Sequence, residues 1–330
     1  MAAPMIPPAT APAFLAANGW EGAQIVPLAG DASFRRYFRV VKDGGTAVLM
    51  DAPPEHEDVG PFLAVAGHLL ERGFLPPRPL AVDREKGLLL LEDFGDRRVA
   101  PLLAKEPERE RGIYEAAVDT LARLASHPAP ADLGPYDDAA QAREVSLFTE
   151  WYVPALGLEV DEAAYLLAWR EAWREAVEEG LRAPVLVLRD YHADNLMVLP
   201  GTRELGLLDF QDALAGHAAY DLVSLLQDAR RDVSPELEEA MLARYIAAAS
   251  VADPARFRDH YDALGAQRNT KILGIFTRLW KRDGKHFYTT LQPRVWAYLE
   301  RNLARPALAP VRDWFDANVP PEKRAAAWPA

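Results

Sequence analysis

The chain has no cysteine. Disulfides, thiolate metal sites and cysteine nucleophiles are therefore excluded, and the compartment is left open on this ground. Long apolar runs are missing too. The longest, "GLLLLE" (87–92) and "PVLVLR" (184–189), are strand-sized, far short of the roughly 20 residues that span a membrane. The opening "MAAPMIPPATAPAFLAANGW" has no basic segment, and prolines interrupt its apolar residues, so it does not read as a secretory signal. Positive charge is also scarce: 37 Lys and Arg stand against 49 Asp and Glu, for a net charge of -12. Such a surface repels phosphate backbones and anionic lipid, which argues against nucleic-acid and membrane partners, though a local basic pocket can still take a small anion. No internal repeat is visible, and bias is confined to the Pro/Ala-rich ends. The expectation is a soluble, cytoplasmic monomer whose 330 residues suffice for two lobes with real cores.

After a loose tail of about ten residues, "AQIVPLAG", "SFRRYFRVV" and "TAVLMDA" read as β-strands, with "KDGG" (42–45) as a hairpin turn. "PFLAVAGHLLERG" (61–73) carries a helical apolar stripe, and "RPLAVD" and "GLLLLE" add two strands. Beyond residue 100 helical spacing dominates, in "PERERGIYEAAVDTLARLASH", "DEAAYLLAWREAWREAVEEG", "AAYDLVSLLQDA", "PELEEAMLARYIAAA" and "TKILGIFTRLWKR". Only "PVLVLRD" and "ELGLLDF" interrupt it as strands. The predicted class is α+β. Residues 1–95 form a β-rich lobe with five strands and one helix, residues 96–330 form a larger helical lobe, and a hinge lies near 92–96.

The chemistry concentrates in "VLVLRDYHADNLMVLPGTRELGLLDFQDA" (185–213). An apolar strand ends at Arg189-Asp190, Asn195 follows five residues later, and a second strand delivers Asp209. Phosphoryl transfer needs these parts: a carboxylate to orient the acceptor hydroxyl and take its proton, and an amide oxygen with a second carboxylate to hold Mg²⁺ against nucleotide phosphates. Taken alone, Asp-x-x-x-x-Asn is also an ordinary capped loop. The flanking strands and the β-rich lobe upstream favour the catalytic reading.

In this order the residues resemble the aminoglycoside phosphotransferase/choline kinase group, relatives of protein kinases. That group's pattern is His-x-Asp-x-x-x-x-Asn followed by a strand-borne Asp. Leu188 replaces the His, while Asp190, Asn195 and Asp209 match. The blocks "LAGDASFRRYFRV", "VLMDAPPE", "LLLLEDFGD", "LRDYHADNLM", "LLDFQDALAGHAAYDLVSLLQDAR" and "LGIFTRLWKRDGK" resemble one subgroup, the anomeric kinases of cell-wall sugar recycling that act on N-acetylmuramate and N-acetylglucosamine. The resemblance implies a bilobal protein-kinase-like fold, ATP between the lobes, Mg²⁺ on Asn195 and Asp209, and Asp190 as the catalytic carboxylate. It implies a sugar 1-phosphate as product. The alternatives are a kinase for an aminoglycoside or choline-like alcohol, and a nucleotide-binding pseudokinase regulator.

Further roles follow from the resemblance. The Asp93-Phe94-Gly95 triplet precedes the helical lobe, so it is a hinge and not the metal triplet. Its backbone at Glu92 and Phe94 is expected to meet adenine, with Asp93 facing solvent or capping a helix. Gly30, Ala32 and Ser33 in "AGDASF" are expected to approach phosphate oxygens, although the segment also reads as an ordinary hairpin turn. Protein kinases carry a phosphate-gripping lysine on the third strand, and here the chain has Met50. Arg35, Arg36 or Arg39 is the candidate substitute, with Mg²⁺ carrying the phosphate charge as the alternative. His192 either orients the loop or touches phosphate or metal-bound water, and Asp221 ties a core helix to the loop. Asp212 either binds sugar hydroxyls or caps a helix. In "TRLWKRDGKHFY" the residues Arg278 and Arg282 suit an anionic sugar, with a solvated helix face as the alternative. Trp151, Tyr152 or Trp280 could stack on a sugar ring.

Overall fold

The computed structural model describes residues 5–30 and 34–324. Its strands are β1 (Gln24–Gly30), β2 (Arg36–Lys42), β3 (Gly45–Asp51), β4 (Pro79–Asp83), β5 (Leu88–Glu92), β6 (Val185–Val187), β7 (Leu196–Val198), β8 (Leu205–Leu207) and β9 (Leu214–Gly216). The helices begin with α1 (Ala11–Ala17), α2 (Gly60–Glu71), α3 (Val99–Lys105), α4 (Glu110–Ala125), α5 (Asp138–Leu147) and the single turn α6 (Val153–Ala155). They continue with α7 (Glu162–Arg182), α8 (Ala219–Leu226), α9 (Pro235–Ala248), α10 (Pro254–Asp283), α11 (Gln292–Leu303) and α12 (Ala309–Asn318). Two compact units result: residues 1–99 with 195–212, and residues 100–194 with 213–330.

The first unit is an antiparallel sheet in the order β1-β2-β3-β5-β4. Asp43 and Gly44 both have positive φ, at 49° and 81°, the backbone that a tight two-residue hairpin between β2 and β3 demands. Alternation along the strands buries Phe38, Val40, Ala47, Leu49, Leu88 and Leu90 against Ala11, Phe14 and Leu15 of α1. The lobe thus has a second helix, just past the predicted tail; with no polar cap and only seven residues, α1 leaves little periodicity to read. The hairpin β7–β8 joins this unit through Leu207 N–H to Leu75 C=O (2.8 Å) and Val198 N–H to Arg97 C=O (2.9 Å).

The second unit is helical around an aromatic core of Phe148, Tyr152, Tyr165, Trp169, Trp173, Trp296, Trp314 and Phe315. Its axis is α10, 30 residues long. Asp253 caps its start by accepting the Arg256 N–H at 3.0 Å, Pro254 pre-sets the first turn, and Gly284 ends it at φ 66°. Its part before Thr270, which the apolar pattern did not reveal, buries Asp262, Gln267, Arg268 and Asn269. A one-turn π-helix, Phe148–Tyr152, follows α5. β6 pairs antiparallel with β9.

Candidate active site

In the second unit, the segment after β6 carries Asp190. The backbone N–H groups of Leu188 and Arg189 both donate to Asp221 of α8, at 2.6 and 2.8 Å. Burial pushes the Asp221 carboxyl up to about 7 even against those two donors. Arg189 is held at φ 69°, a conformation that costs a non-glycine residue and marks a segment fixed by its surroundings. The Asp190 side chain emerges 46 % exposed, with Arg268 Nη2 at 3.8 Å from Oδ1. Desolvation alone would raise its pKa. The charges of Lys271, then Arg268 and Arg189, outweigh it and hold the carboxyl below the usual carboxylate range.

Beneath this loop, Glu144 of α5 gathers polar groups that sequence reasoning missed. Lys271 Nζ donates to it at 2.7 Å, Gln267 Nε2 at 3.0 Å and Arg189 Nη2 at 2.5 Å, and the Tyr136 hydroxyl also binds it. Burial opposes its ionisation, but Lys271 and then Arg189 bring its pKa down to about 2. His192 is buried at 4 % exposure, with Nε2 facing Arg230 Nη1 at 3.2 Å, and burial lowers its pKa. That placement fits a residue that orients the loop.

In the first unit, Asn195 Nδ2 donates to Asp209 Oδ2 at 3.3 Å. The pair sets an amide and a carboxylate side by side, oxygen-bearing groups of the kind that suit Mg²⁺. Asp209 has φ 56°. Buried Gln211, to which the sequence assigned no role, donates to Asp209 Oδ1 at 2.9 Å and to exposed Asp212 at 3.1 Å. Phe210 is fully buried and stacks on Phe62 with ring centroids 5.0 Å apart.

The three candidate arginines separate by partner. Arg36 Nε donates to Asp51 at 2.7 Å, and Arg39 grips Asp93 with two donors at 2.7 and 3.1 Å. Arg35 lies 3.7 Å from Asp209 and 3.8 Å from Glu57. Among the described residues, Arg35 is therefore the one of the three candidate arginines that stands beside Asp209. Met50 is buried opposite Tyr37.

The Arg39 pair corrects the expected place of Asp93. Its side chain is only 4 % exposed and ion-paired, so it is neither solvent-facing nor a helix cap. Its Oδ1 also accepts the Gly95 N–H at 2.8 Å, with Gly95 at φ 76°. Arg39 thereby pins the 93–95 turn to β2. The Glu92 N–H donates to the Arg78 carbonyl at 2.9 Å, and the Phe94 ring lies where a β-carbon on Gly206 would stand, 2.8 Å away. Gly30 ends β1, and Ala32 and Ser33 lie outside the described residues.

Of the proposed stacking aromatics, Tyr152 is a core residue that accepts the Trp296 indole N–H at 2.7 Å. Trp280 is mostly buried, and Lys281 Nζ covers its ring at 3.8 Å. Arg282 is exposed and paired with Asp283, whereas Arg278 is half-buried. Glu179, His217 and His260 also converge. The Ala219 N–H, however, occupies His217 Nδ1 at 3.0 Å, so the ring proton sits on Nε2 and points at His260 Nδ1, 3.1 Å away. This arrangement is a hydrogen-bonded pair and not a ligand set. No helix among the described residues is long and apolar enough to cross a membrane.

The sequence profile described as "Phosphotransferase enzyme family" matches residues 24–260. An N-acetylmuramate/N-acetylglucosamine kinase of Caulobacter vibrioides is 39% identical, with 94% of this chain and 96% of that protein covered. A Pseudomonas aeruginosa protein of the same name is also 39% identical, with 90% of each covered. Among solved structures, a choline/ethanolamine kinase family protein of Mesorhizobium loti aligns with TM-score 0.61 at 18% identity over 92% of this chain and 98% of its own. An aminoglycoside phosphotransferase of Streptomyces rimosus, in complex with ADP and streptomycin, aligns with TM-score 0.52 at 18% identity over 79% of this chain and 99% of its own.

Proposed function

The chain belongs to the phosphotransferase enzyme family and has its protein-kinase-like fold, and from that premise we propose that it is a cytoplasmic, monomeric, ATP- and Mg²⁺-dependent kinase for the anomeric hydroxyl of N-acetylmuramate and N-acetylglucosamine. The observation that carries this reading is 39% identity across 94% of the chain to a kinase named for those two sugars.

Asp190 is the proposed proton acceptor. Held ionised below the usual carboxylate range yet open to solvent, it accepts a hydrogen bond from the C1 hydroxyl and takes its proton. The sugar oxygen forms its bond to the γ-phosphorus as the bond to the ADP oxygen breaks. An anomeric hydroxyl is more acidic than an ordinary alcohol, so positioning matters more than strong basicity. Asn195 and Asp209 are the residues that would hold Mg²⁺, which when bound neutralises charge on the nucleotide phosphates. Gln211 fixes the Asp209 carboxylate from one side. Arg35, beside Asp209, is the proposed phosphate cation in place of the absent third-strand lysine. The backbone at Glu92 and Phe94 is the proposed adenine edge, and the turn at Gly30, Ala32 and Ser33 the proposed phosphate cover. His192 is assigned to loop orientation and Asp212 to a sugar hydroxyl. Arg278 and Arg282 attract an anionic acceptor through their charge.

The test is a panel: ATP and Mg²⁺ with N-acetylmuramate, N-acetylglucosamine, choline and an aminoglycoside, read by mass spectrometry. Phosphorylated amino sugars alone support the reading. Transfer to choline or the aminoglycoside replaces the substrate, and nucleotide binding without transfer to any acceptor replaces the enzyme with a regulator.

A further inference from the structure

Helix α10 carries Arg268, Lys271, Ile275, Arg278 and Arg282 at offsets of three and four, which places them on one stripe. The stripe begins beside Asp190, and its first two cations are fully enclosed by protein. They differ in how they are satisfied. Lys271 is engaged by Glu144 at 2.7 Å and by the Tyr220 hydroxyl at 3.4 Å. Arg268 is 4 % exposed, its Nη2 only approaches Asp190 at 3.8 Å, and among the described residues no group accepts from its buried Nε and Nη1.

Arg231, Arg278 and Arg305 each leave one buried nitrogen, Nε, without an acceptor among the described residues, whereas Arg268 leaves two. Elsewhere in this molecule Arg39 grips Asp93, Arg258 grips Glu239 and Arg244 grips Asp119, each through two donors. Burying donors without acceptors is costly, and a carboxylate 3.8 Å away does not offset it. The residue fits a site that receives a second anion, since a guanidinium presents paired donors to a planar or tetrahedral oxyanion.

We propose that Arg268 is the anion-binding residue of the acceptor site, engaging an oxyanion beside the hydroxyl that Asp190 holds. The proposal rests on the kinase reading above. The oxyanion has two possible sources of the same chemistry: the carboxylate of N-acetylmuramate, or the phosphoryl group arriving on the acceptor oxygen. Arg278 and Arg282 lie about 15 and about 21 Å further along the helix at 1.5 Å per residue. That is too far for them to share with Asp190 the two ends of one sugar ring, so the direct contact falls to Arg268.

The experiment compares wild type, Arg268→Gln and Arg268→Lys. Thermal midpoints are recorded first, then kcat and KM for both sugars, and calorimetric binding of each sugar and its 1-phosphate. If the carboxylate is the ligand, Arg268→Gln loses roughly ten- to a hundred-fold in kcat/KM for N-acetylmuramate, mainly through KM, and N-acetylglucosamine is spared. If the phosphoryl group is the ligand, kcat falls equally for both sugars, KM holds and both 1-phosphates bind more weakly. In either case Arg268→Lys recovers part of the loss. Variants with wild-type kcat and KM for both sugars overturn the proposal, as do losses that simply follow a lowered thermal midpoint and vanish on cooling. A wild-type protein that neither binds nor phosphorylates either sugar overturns the kinase reading and this proposal together, whereas active wild type with indifferent variants overturns this proposal alone.

Discussion

Asp190 owes its ionised state to neighbours distant in sequence, Lys271 and Arg268, while its own segment is fixed by Asp221. Asp190→Asn removes the proposed proton acceptor and little else, so turnover should drop by roughly 10²–10⁴ with the thermal midpoint nearly unchanged. Wild-type turnover in the folded variant would remove Asp190 from the reaction. Asp209 and Asp93 should respond in opposite ways. Asp209→Ala should abolish activity at any Mg²⁺ concentration. Asp93→Ala leaves Arg39 paired with exposed Asp96 but removes the buried partner, and should cost about 1.5–3 kcal/mol of stability, the worth of charged hydrogen bonds, with the Mg²⁺ dependence of the remaining activity unchanged. Denaturant melts and Mg²⁺ titrations of both variants separate the cases; a shifted Mg²⁺ requirement in Asp93→Ala would contradict the assignment. Asp190, Asn195 and Asp209 could be singled out as the proposed site because their spacing and chain order are local features. The burial of Asp93 was not, since its partner lies 54 residues away. The choice among Arg35, Arg36 and Arg39 was closed for the same reason: it depends on the acids at positions 51, 93 and 209.

At the scale of elements, Glu144 links α5, α10 and the segment carrying Arg189. Glu144→Gln leaves two buried cations without their counter-charge and should destabilise by about 3–5 kcal/mol, with a lower kcat even well below the melting temperature. The pH dependence follows from its lowered pKa. Its folded value of about 2 lies below the roughly 4.3 of an unfolded glutamate. The stabilisation is therefore complete above the unfolded value and is lost as pH falls through the folded one. Denaturant midpoints between about pH 5 and pH 2 should lose a component in wild type that Glu144→Gln lacks, and superimposable profiles would contradict this. The strands of the first unit could be read because alternation places Phe38 and Val40 on one face. The first half of α10 could not, because buried Asp262, Gln267, Arg268 and Asn269 occupy positions where an apolar stripe was sought. Those hidden polar residues include Arg268, beside the proposed catalytic carboxylate Asp190.

Over the whole molecule the charge is -12, which repels an anionic substrate everywhere except near local cations such as the outer end of the α10 stripe. The kcat/KM for N-acetylmuramate should accordingly respond to salt differently from that for neutral N-acetylglucosamine. Between about 0.05 and about 0.5 M NaCl we expect a fall of roughly threefold for the former and little change for the latter. Removing Arg278 and Arg282 together should flatten that difference, and an unchanged salt response would return both to the solvated surface. The central claim is transfer to the anomeric oxygen. It is tested most directly by incubating the protein with ATP, Mg²⁺ and N-acetylglucosamine or N-acetylmuramate and recording the ³¹P spectrum of the product. The account predicts a phosphate coupled to the anomeric proton in both products, absent with Asp190→Asn. A phosphate coupled to the C6 protons, or no sugar phosphate from the folded wild-type protein, would contradict it.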